Sequence, residues 1–195
     1  MKFRFEIVDS ALAHDGFLGL KRFWLKHDLF AGGSSDVLVR ECIVGLESAA
    51  VLLYDPNRDE VVMIEQFRIG ALEDPQGAWL LEIVGGLVEE GRYPDEVARR
   101  ESLEEAGCEI KQLLPICEFM VSPGYSSERT HLFCGLVDAS SAGGVHGLAE
   151  EGEDIRVEVL PAEEAIAELY GGRVNSTTAI ITMQWLAMNR MELMA

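Results

Sequence analysis

The sequence predicts a sandwich of sheet and helices, in the α/β or α+β class. Short apolar segments rich in β-branched and aromatic residues recur through the first 90 residues, and turn residues separate them. From Pro94 the apolar positions follow a helical period, and two more helical segments close the chain. Strands that are interrupted and followed by helices are typical of a sheet that packs against helices.

The first 45 residues predict a small antiparallel β domain. They contain three strand-like segments, and the breaks between these segments are rich in Gly, Ser and Asp, the residues that favour turns. The predicted strands are residues 3–8, 17–25 and 37–43. We therefore expect two domains, one at 1–45 and a larger one at 46–195.

The larger domain begins with hairpin-like segments and ends with helices. Pro94 suits the first turn of a helix and Gly107 suits its end, so that a helix is expected over 94–106. A glycine-rich stretch before residue 155 predicts turns. The other predicted strands are 49–54, 61–67, 80–84, 113–121, 130–137 and 155–160, and the other predicted helices are 161–170 and 177–191.

The charge of the chain excludes several classes of partner. Its 195 residues include 16 Lys and Arg against 34 Asp and Glu, a formal charge of −18 at pH 7. Such a field repels nucleic acids and anionic membranes, so that a phosphate-bearing substrate would need a cation. No segment reaches the about 18 apolar residues of a membrane span, and no apolar signal segment opens the chain. Cysteine pairs with metal-site spacing are also missing. We expect a cytoplasmic protein with reduced thiols.

Three glutamates crowd one side of the helix predicted at 94–106. Glu101 and Glu105 are four residues apart, and Glu104 lies three residues after Glu101. Like charges at this spacing repel each other, whereas Mg²⁺ binds several carboxylates together with water and phosphate oxygens. The alternative interpretation is a helix face that is simply solvated.

The same stretch resembles the Nudix box, the loop–helix signature of hydrolases that cleave nucleoside diphosphates linked to another moiety. The box has the form G-x5-E-x7-R-E-U-x-E-E-x-G-U, where U is apolar. Arg92 replaces its first glutamate and Ser102 one apolar residue. We expect Arg92 to affect rate and metal affinity more than reaction type, and Glu89 or Glu90 to be its candidate substitutes. The positions in register are Gly86, Arg100, Glu101, Glu104, Glu105, Gly107 and Cys108.

Nearly the whole chain resembles one branch of this family, the bacterial ADP-ribose pyrophosphatases. The segments that carry the resemblance are residues 61–68, 79–86, 122–129 and 146–157. The resemblance implies a Nudix α/β/α sandwich with a mixed sheet. It also implies a homodimer in which the N-terminal β domain is exchanged between subunits.

The resemblance also implies a metal site and a general base. The metal, Mg²⁺ with Mn²⁺ as an alternative, would be bound by the Gly85 carbonyl and by Glu101, Glu105 and Glu153. Glu104 would be a supporting ligand. Glu151, on an acidic loop, would take a proton from the attacking water. The alternative for this loop is a plain charged segment.

Four residues are candidates for substrate contacts by the same resemblance. Arg68 would bind the pyrophosphate or the terminal ribose, since a guanidinium fork suits phosphate oxygens; its alternative is an ion pair with Glu65 or Glu82. The residues expected around the adenine are Phe17, Arg40 and Glu41, and for Phe17 a core or interface position is the alternative.

The implied reaction is hydrolysis of ADP-ribose to AMP and ribose 5-phosphate. A different ADP-sugar or a GDP-hexose is the alternative within the same chemistry. A non-catalytic sensor that binds ADP-ribose, with Arg92 marking a decayed site, is an alternative of another class. An acidic interaction domain with no small-molecule site would leave the ordered box unexplained.

Overall fold

The computed structural model describes residues 3–194, apart from the side chain of Glu151. The chain divides into two compact units. The first comprises the N-terminal part of the chain up to Glu47 together with Phe119–Arg129, and the second comprises Ser48–Glu118 and the residues from Thr130 onward.

The first unit is an antiparallel sheet of three strands. These are β1 (Phe5–Asp15), β2 (Gly19–His27) and β3 (Leu38–Val44), with β2 in the middle. The main chain of Ile43 exchanges hydrogen bonds of 2.8 and 2.9 Å with Tyr125 and Ser127. The segment 119–129 is therefore held on β3 by backbone pairing, which no local sequence pattern announces.

The second unit is built on one sheet. Its first strands are β4 (Glu47–Asp55), β5 (Glu60–Phe67), β6 (Trp79–Glu82) and β7 (Val84–Leu87). The later strands are β8 (Gln112–Met120), β9 (Arg129–Leu136), β10 (Gly144–His146) and β11 (Ile155–Pro161). These eight strands have the order β10-β11-β5-β4-β9-β8, where β6 pairs with β5 and β7 with β4. The helices are α1 (Pro94–Ala106), α2 (Ala162–Gly171) and α3 (Thr177–Leu193).

The expected fold class is confirmed, and several strand assignments are corrected. The strand predicted over 3–8 begins at Phe5 and continues to Asp15 as β1. The segment predicted as one strand over 80–84 is two strands, because its pairing changes from β5 to β4 between Glu82 and Val84. The glycine-rich stretch predicted as turns contains the short strand β10, which pairs with β11. None of the helices within residues 3–194 is long and apolar enough to cross a membrane.

The core of the second unit lies between the central strands and α1. Strands β4 and β5 are almost entirely buried, as expected for strands with both faces covered. Val97 and Ala98 of α1 pack in the same cluster as Val62 and Ile64 of β5. The helix therefore turns one face toward the sheet, and the side chains on that face are fixed by core packing.

Candidate functional site

Two of the three clustered glutamates lie on the buried face of α1. Glu101 and Glu105 are 8% and 3% exposed, whereas Glu104 is half-buried. The helix begins at Pro94 and ends before Gly107, as predicted, and Gly107 has the left-handed conformation that commonly follows a helix, with φ of 63°. The alternative of a solvated face is therefore wrong for Glu101 and Glu105.

Two glycines of β7 allow these carboxylates to approach the backbone. The Gly85 N–H donates a hydrogen bond of 2.9 Å to Oε2 of Glu105. A Cβ at Gly86 would lie 2.0 Å from Oε1 of Glu101, and a Cβ at Gly85 would lie 2.9 Å from the carbonyl oxygen of Ala49. A side chain at either position would therefore displace the neighbouring atoms, which explains the two glycines physically.

The Glu105 carboxyl lies in an unfavourable field for its charged form. Its pKa is raised to about 8, mainly by burial. The Gly85 N–H and Arg68 act in the opposite direction, while the charges of Glu101 and Glu153 add to the effect of burial. A buried carboxyl beside two others is a place where a divalent cation would relieve the repulsion.

Arg100 gathers three carboxylates around one guanidinium. Its Nη1 lies 2.9 Å from Oε2 of Glu104, and its Nη2 lies 2.9 Å from Oε1 of Glu101 and 3.6 Å from Oε1 of Glu89. Burial lowers the pKa of Arg100, but the three negative charges outweigh this and raise it above its ordinary value. Arg100 therefore stays charged and links the loop before α1 to two glutamates of the helix.

Arg92, at the first glutamate position of the box pattern, lies apart from this cluster. Its side chain is exposed and forms no ion pair with any residue that the structure describes. Its N–H donates a hydrogen bond of 3.0 Å to the carbonyl oxygen of Glu89, which closes a turn between the two residues. Of the two candidate substitutes, Glu89 is the one that pairs with Arg100.

The acidic loop is closed at its base, where it leaves the sheet, by contacts between Leu148 and Glu153, and we call this base the neck. His146 and Ile155 are the last paired residues of β10 and β11. Beyond them, Oε2 of Glu153 accepts a hydrogen bond of 2.9 Å from the Leu148 N–H, and the Glu153 N–H donates one of 3.2 Å to the Leu148 carbonyl oxygen. These reciprocal bonds hold the two sides of the loop together at its base.

Gly147 joins this neck to α1. Its N–H donates a hydrogen bond of 3.3 Å to the carbonyl oxygen of Glu104. Its φ is 97°, and a Cβ here would lie 2.7 Å from Cβ of Glu153. The loop tip beyond the neck includes a short 3-10 turn at Ala149–Glu151, but the Glu151 side chain, the predicted base, lies outside the described part of the chain.

Arg68 lies just beyond the end of β5, beside a cavity. Its Nε donates a hydrogen bond of 2.6 Å to Oε2 of Glu82, which is buried in β6. The ion pair that the sequence offered as an alternative is therefore present with Glu82, whereas Glu65 pairs with Arg156. The cavity has a volume of about 370 Å³ and is lined by Arg68, Gly70, Ala71, Glu73, Asp74, Leu80 and Asn175.

The predicted adenine-binding residues lie in the first unit. Phe17 is 89% exposed in the turn before β2, so that its expected position in a strand is wrong, and it is not a core residue of this chain. Arg40 and Glu41 are adjacent in β3, and Glu41 forms an ion pair of 2.6 Å with Arg22. A cavity of about 500 Å³ is lined by Arg22, Trp24, Val39, Arg40 and Glu41.

The four carboxylates of the predicted metal site are engaged with protein donors. Glu105 accepts from Gly85, Glu101 and Glu104 pair with Arg100, and Glu153 accepts from Leu148. Among the described side chains, no three acidic, His or Cys residues are already grouped to hold a metal ion. The donor set is nonetheless one of hard oxygen ligands around a buried, repulsive centre, and this chemistry fits Mg²⁺ or Mn²⁺. Metal binding would exchange these protein donors for the ion.

Sequence reasoning missed the main-chain contacts of the site. The donors at Leu148 and Gly147 are peptide N–H groups, which every residue except proline has, and so they carry no side-chain signature. The glycine at 147 was the available signal, although glycine in a loop is common.

Comparison with known proteins gives a consistent family. Residues 46–179 match the family model described as the NUDIX domain. The ADP-ribose pyrophosphatase of Haemophilus influenzae is 45% identical over 191 residues, which cover 96% of this chain and 88% of the relative. The ADP-ribose pyrophosphatase of Escherichia coli K12 is 42% identical over 188 residues, covering 96% and 90%.

A more distant relative and a solved structure extend this comparison. The GDP-mannose pyrophosphatase of Pectobacterium atrosepticum is 34% identical over 184 residues, covering 92% of each chain. A crystal structure of an ADP compounds hydrolase superposes with a TM-score of 0.71 over 95% of this chain and 96% of that one. Its sequence is 17% identical, so that this likeness concerns the fold alone.

Proposed function

This chain belongs to the NUDIX family, and we propose on that premise that it hydrolyses the pyrophosphate bond of ADP-ribose, giving AMP and ribose 5-phosphate. The observation that carries the proposal is the 42–45% identity to ADP-ribose pyrophosphatases across 96% of the chain. The buried pair Glu101 and Glu105 against the β7 glycines supports it, because the arrangement fits the binding of a divalent cation.

The metal ligands form part of this proposal. Glu101, Glu105 and the carbonyl of Gly85 bind the ion, Glu153 contributes from the loop, and Glu104 supports them. A bound Mg²⁺ or Mn²⁺ would neutralise the diphosphate and make its phosphorus open to attack. The crowding that raises the pKa of Glu105 supports this assignment, since a cation removes its cause.

Glu151 is the proposed general base, which takes the proton of the attacking water. Its backbone lies at the end of the 3-10 turn in the loop tip, the segment that connects the two sides of the neck along the chain. A carboxylate on a loop avoids permanent repulsion by Glu101 and Glu105, and closure of the loop over bound substrate completes the site.

Substrate contacts are proposed for both units. Arg68 binds the pyrophosphate or the terminal ribose, held in place by its ion pair with Glu82. Phe17, Arg40 and Glu41 surround the adenine. The exposure of Phe17 and the cavity beside Arg40 and Glu41 support a ligand-binding role for them.

We further propose a homodimer that forms through the N-terminal β domain at 1–45, with the hydrolase domain at 46–195. All eleven residues of β1 are exposed, including the apolar residues Phe5, Ile7 and Leu12. Exposed apolar patches mark interaction sites, which supports this role for the strand. Light scattering measures the mass directly.

A cytoplasmic location belongs to the same proposal, and cell fractionation tests it.

The decisive experiment measures phosphate release coupled to alkaline phosphatase. The substrates are ADP-ribose, other ADP-sugars, GDP-mannose, NADH and diadenosine polyphosphates, each with and without Mg²⁺. Cleavage that needs Mg²⁺ and is strongest on ADP-ribose is the expected result. Cleavage strongest on another substrate would keep the reaction class and reject the substrate.

A second candidate substrate is GDP-mannose, because a GDP-mannose pyrophosphatase is 34% identical to this chain. This identity is lower than the 42–45% to the ADP-ribose pyrophosphatases, so that ADP-ribose is the first candidate. The same panel separates it from ADP-ribose. Tight binding of ADP-ribose without any cleavage would instead identify a sensor, the alternative that Arg92 raises.

A further inference from the structure

A glutamate of the loop before α1 contacts the same guanidinium nitrogen as a glutamate of the helix. Nη2 of Arg100 lies 3.6 Å from Oε1 of Glu89 and 2.9 Å from Oε1 of Glu101. Nη1 of the same guanidinium lies 2.9 Å from Oε2 of Glu104. Because the guanidinium is planar, contacts on both of its terminal nitrogens fix its orientation.

Gly86 and Arg100 both contribute to the position of Glu101. The absent Cβ of Gly86 leaves the space that its carboxylate occupies, and Arg100 holds one of its oxygens. A change in the charge around Arg100 therefore changes how strongly its guanidinium attracts the Glu101 carboxylate. Glu89 is the third member of this group and the one that does not belong to α1.

Of the two residues that bound the turn from Glu89 to Arg92, Glu89 is the one that pairs with Arg100. The hydrogen bond from the Arg92 N–H to the Glu89 carbonyl oxygen closes the turn, and Gly91 adopts a φ of 81° within it. Glu89 thus reaches Arg100, while the Arg92 side chain is exposed. The negative charge that this loop offers to Arg100 comes from position 89.

We propose that Glu89 is a positioning residue of this enzyme, which acts through Arg100 on the Glu101 carboxylate. The proposal rests on the proposed function. Glu89 attracts part of the Arg100 charge and so leaves the Glu101 oxygens available to a divalent cation. Without Glu89, Arg100 pairs more closely with Glu101 and competes with the ion.

The size of the effect follows from the exposure of the pair. The Glu89 and Arg100 side chains are 61% and 38% exposed, so that water screens their attraction. An ion pair of this kind changes an equilibrium by roughly two- to fivefold. Glu89→Gln is therefore expected to raise the Mg²⁺ dissociation constant by about this factor, and to leave the KM for ADP-ribose at saturating Mg²⁺ unchanged.

The test compares Glu89→Gln with Glu90→Gln, which removes an equal charge from the neighbouring exposed residue. Calorimetric titration with Mg²⁺, without substrate, gives the dissociation constant for each variant. The Mg²⁺ concentration at half-maximal hydrolysis gives an independent value. Thermal unfolding in EDTA checks that both variants are folded. The expected result is a weaker Mg²⁺ affinity for Glu89→Gln than for Glu90→Gln by both measurements.

A second background makes the test specific to position 89. Arg92→Glu places a carboxylate on the same turn, at a residue whose side chain makes no described contact with Arg100, so that in this background the effect of Glu89→Gln should persist. Equal Mg²⁺ affinities of the Glu89→Gln and Glu90→Gln variants would overturn the inference and leave the proposed function intact. Absence of hydrolysis by the wild type, with Mg²⁺ bound in the calorimeter, would overturn the proposed function instead.

Discussion

The Gly85 N–H donates a hydrogen bond of 2.9 Å to the Glu105 carboxylate, and this bond joins β7 to the buried face of α1. It places a buried acid directly beside a strand whose two glycines have no room for a side chain. The residue whose carbonyl is proposed as a metal ligand thus binds, through its N–H, the carboxylate proposed as a second ligand.

Glu101→Gln and Glu105→Gln should each reduce kcat/KM for ADP-ribose by at least about 100-fold, since even residues that only support metal ligands are worth 10- to 100-fold. The fold should persist, because the amide has the size of the acid. Asp95→Asn, at an exposed position of the same helix, is the matched control. Steady-state kinetics and circular dichroism measure both properties, and retained activity in either glutamine variant would reject the metal assignment.

Gly86→Ala should reduce kcat by at least about tenfold, because its Cβ would lie 2.0 Å from Oε1 of Glu101 and must displace that carboxylate. Gly124→Ala has nothing within 4 Å of its added Cβ and should behave as the wild type. Kinetics at saturating Mg²⁺ compare the two. Equal rates would mean that Glu101 need not lie over Gly86.

Glu105 should make the metal-free protein less stable as the pH rises. Its pKa is about 8 in the folded protein against an ordinary 4.5, so that its favourable contribution is complete below pH 4.5 and is lost as the pH passes 8. The difference in melting temperature between Glu105→Gln and wild type in EDTA should therefore grow from pH 5 to pH 8. A difference that stays constant over this range would contradict the raised pKa.

At a pH above 8, saturating Mg²⁺ should raise the melting temperature of the wild type, because the ion binds the folded protein and compensates the buried charge. Glu105→Gln should gain less from Mg²⁺ than the wild type. Differential scanning fluorimetry with and without the ion measures both gains. An equal gain in the two proteins would show that the ion binds elsewhere.

Gly147→Ala should reduce kcat about tenfold with a smaller effect on KM, because it combines a strained backbone with a Cβ only 2.7 Å from Cβ of Glu153. Gly143→Ala is the matched control, since Gly143 also has a positive φ, of 138°, but has nothing within 4 Å. If both variants lose activity equally, backbone strain explains the loss and the contact at the neck does not.

Local signals in the sequence predicted α1 well. Pro94 and Gly107 bound the helix where they were expected to, because each acts through its own backbone conformation. The seven positions in register with the box also identified the family, since chemistry requires particular residues at fixed spacing. Both kinds of signal are contained within a few turns of chain.

The remaining features depend on contacts between distant segments. The break between β6 and β7 arises because the chain changes partner strand, and β10 arises because β11 is available to pair with it. The helical period placed Glu101, Glu104 and Glu105 on one side, but packing against the sheet decided that Glu104 is the least buried. Phe17 looked like a strand residue, although the turn before β2 exposes it.

Because the chain changes its partner strand between β6 and β7, one short segment contacts both Arg68 and Glu105. Glu82 orients the guanidinium of Arg68, and only three residues later Gly85 meets Glu105. The spacing of three residues between these contacts is fixed by the two strands. One inserted or deleted residue would therefore displace either the proposed substrate contact at Arg68 or the proposed metal ligand at Gly85 from its position. A scan of single-residue insertions should therefore find that hydrolysis is lost when the chain is lengthened within residues 82–85.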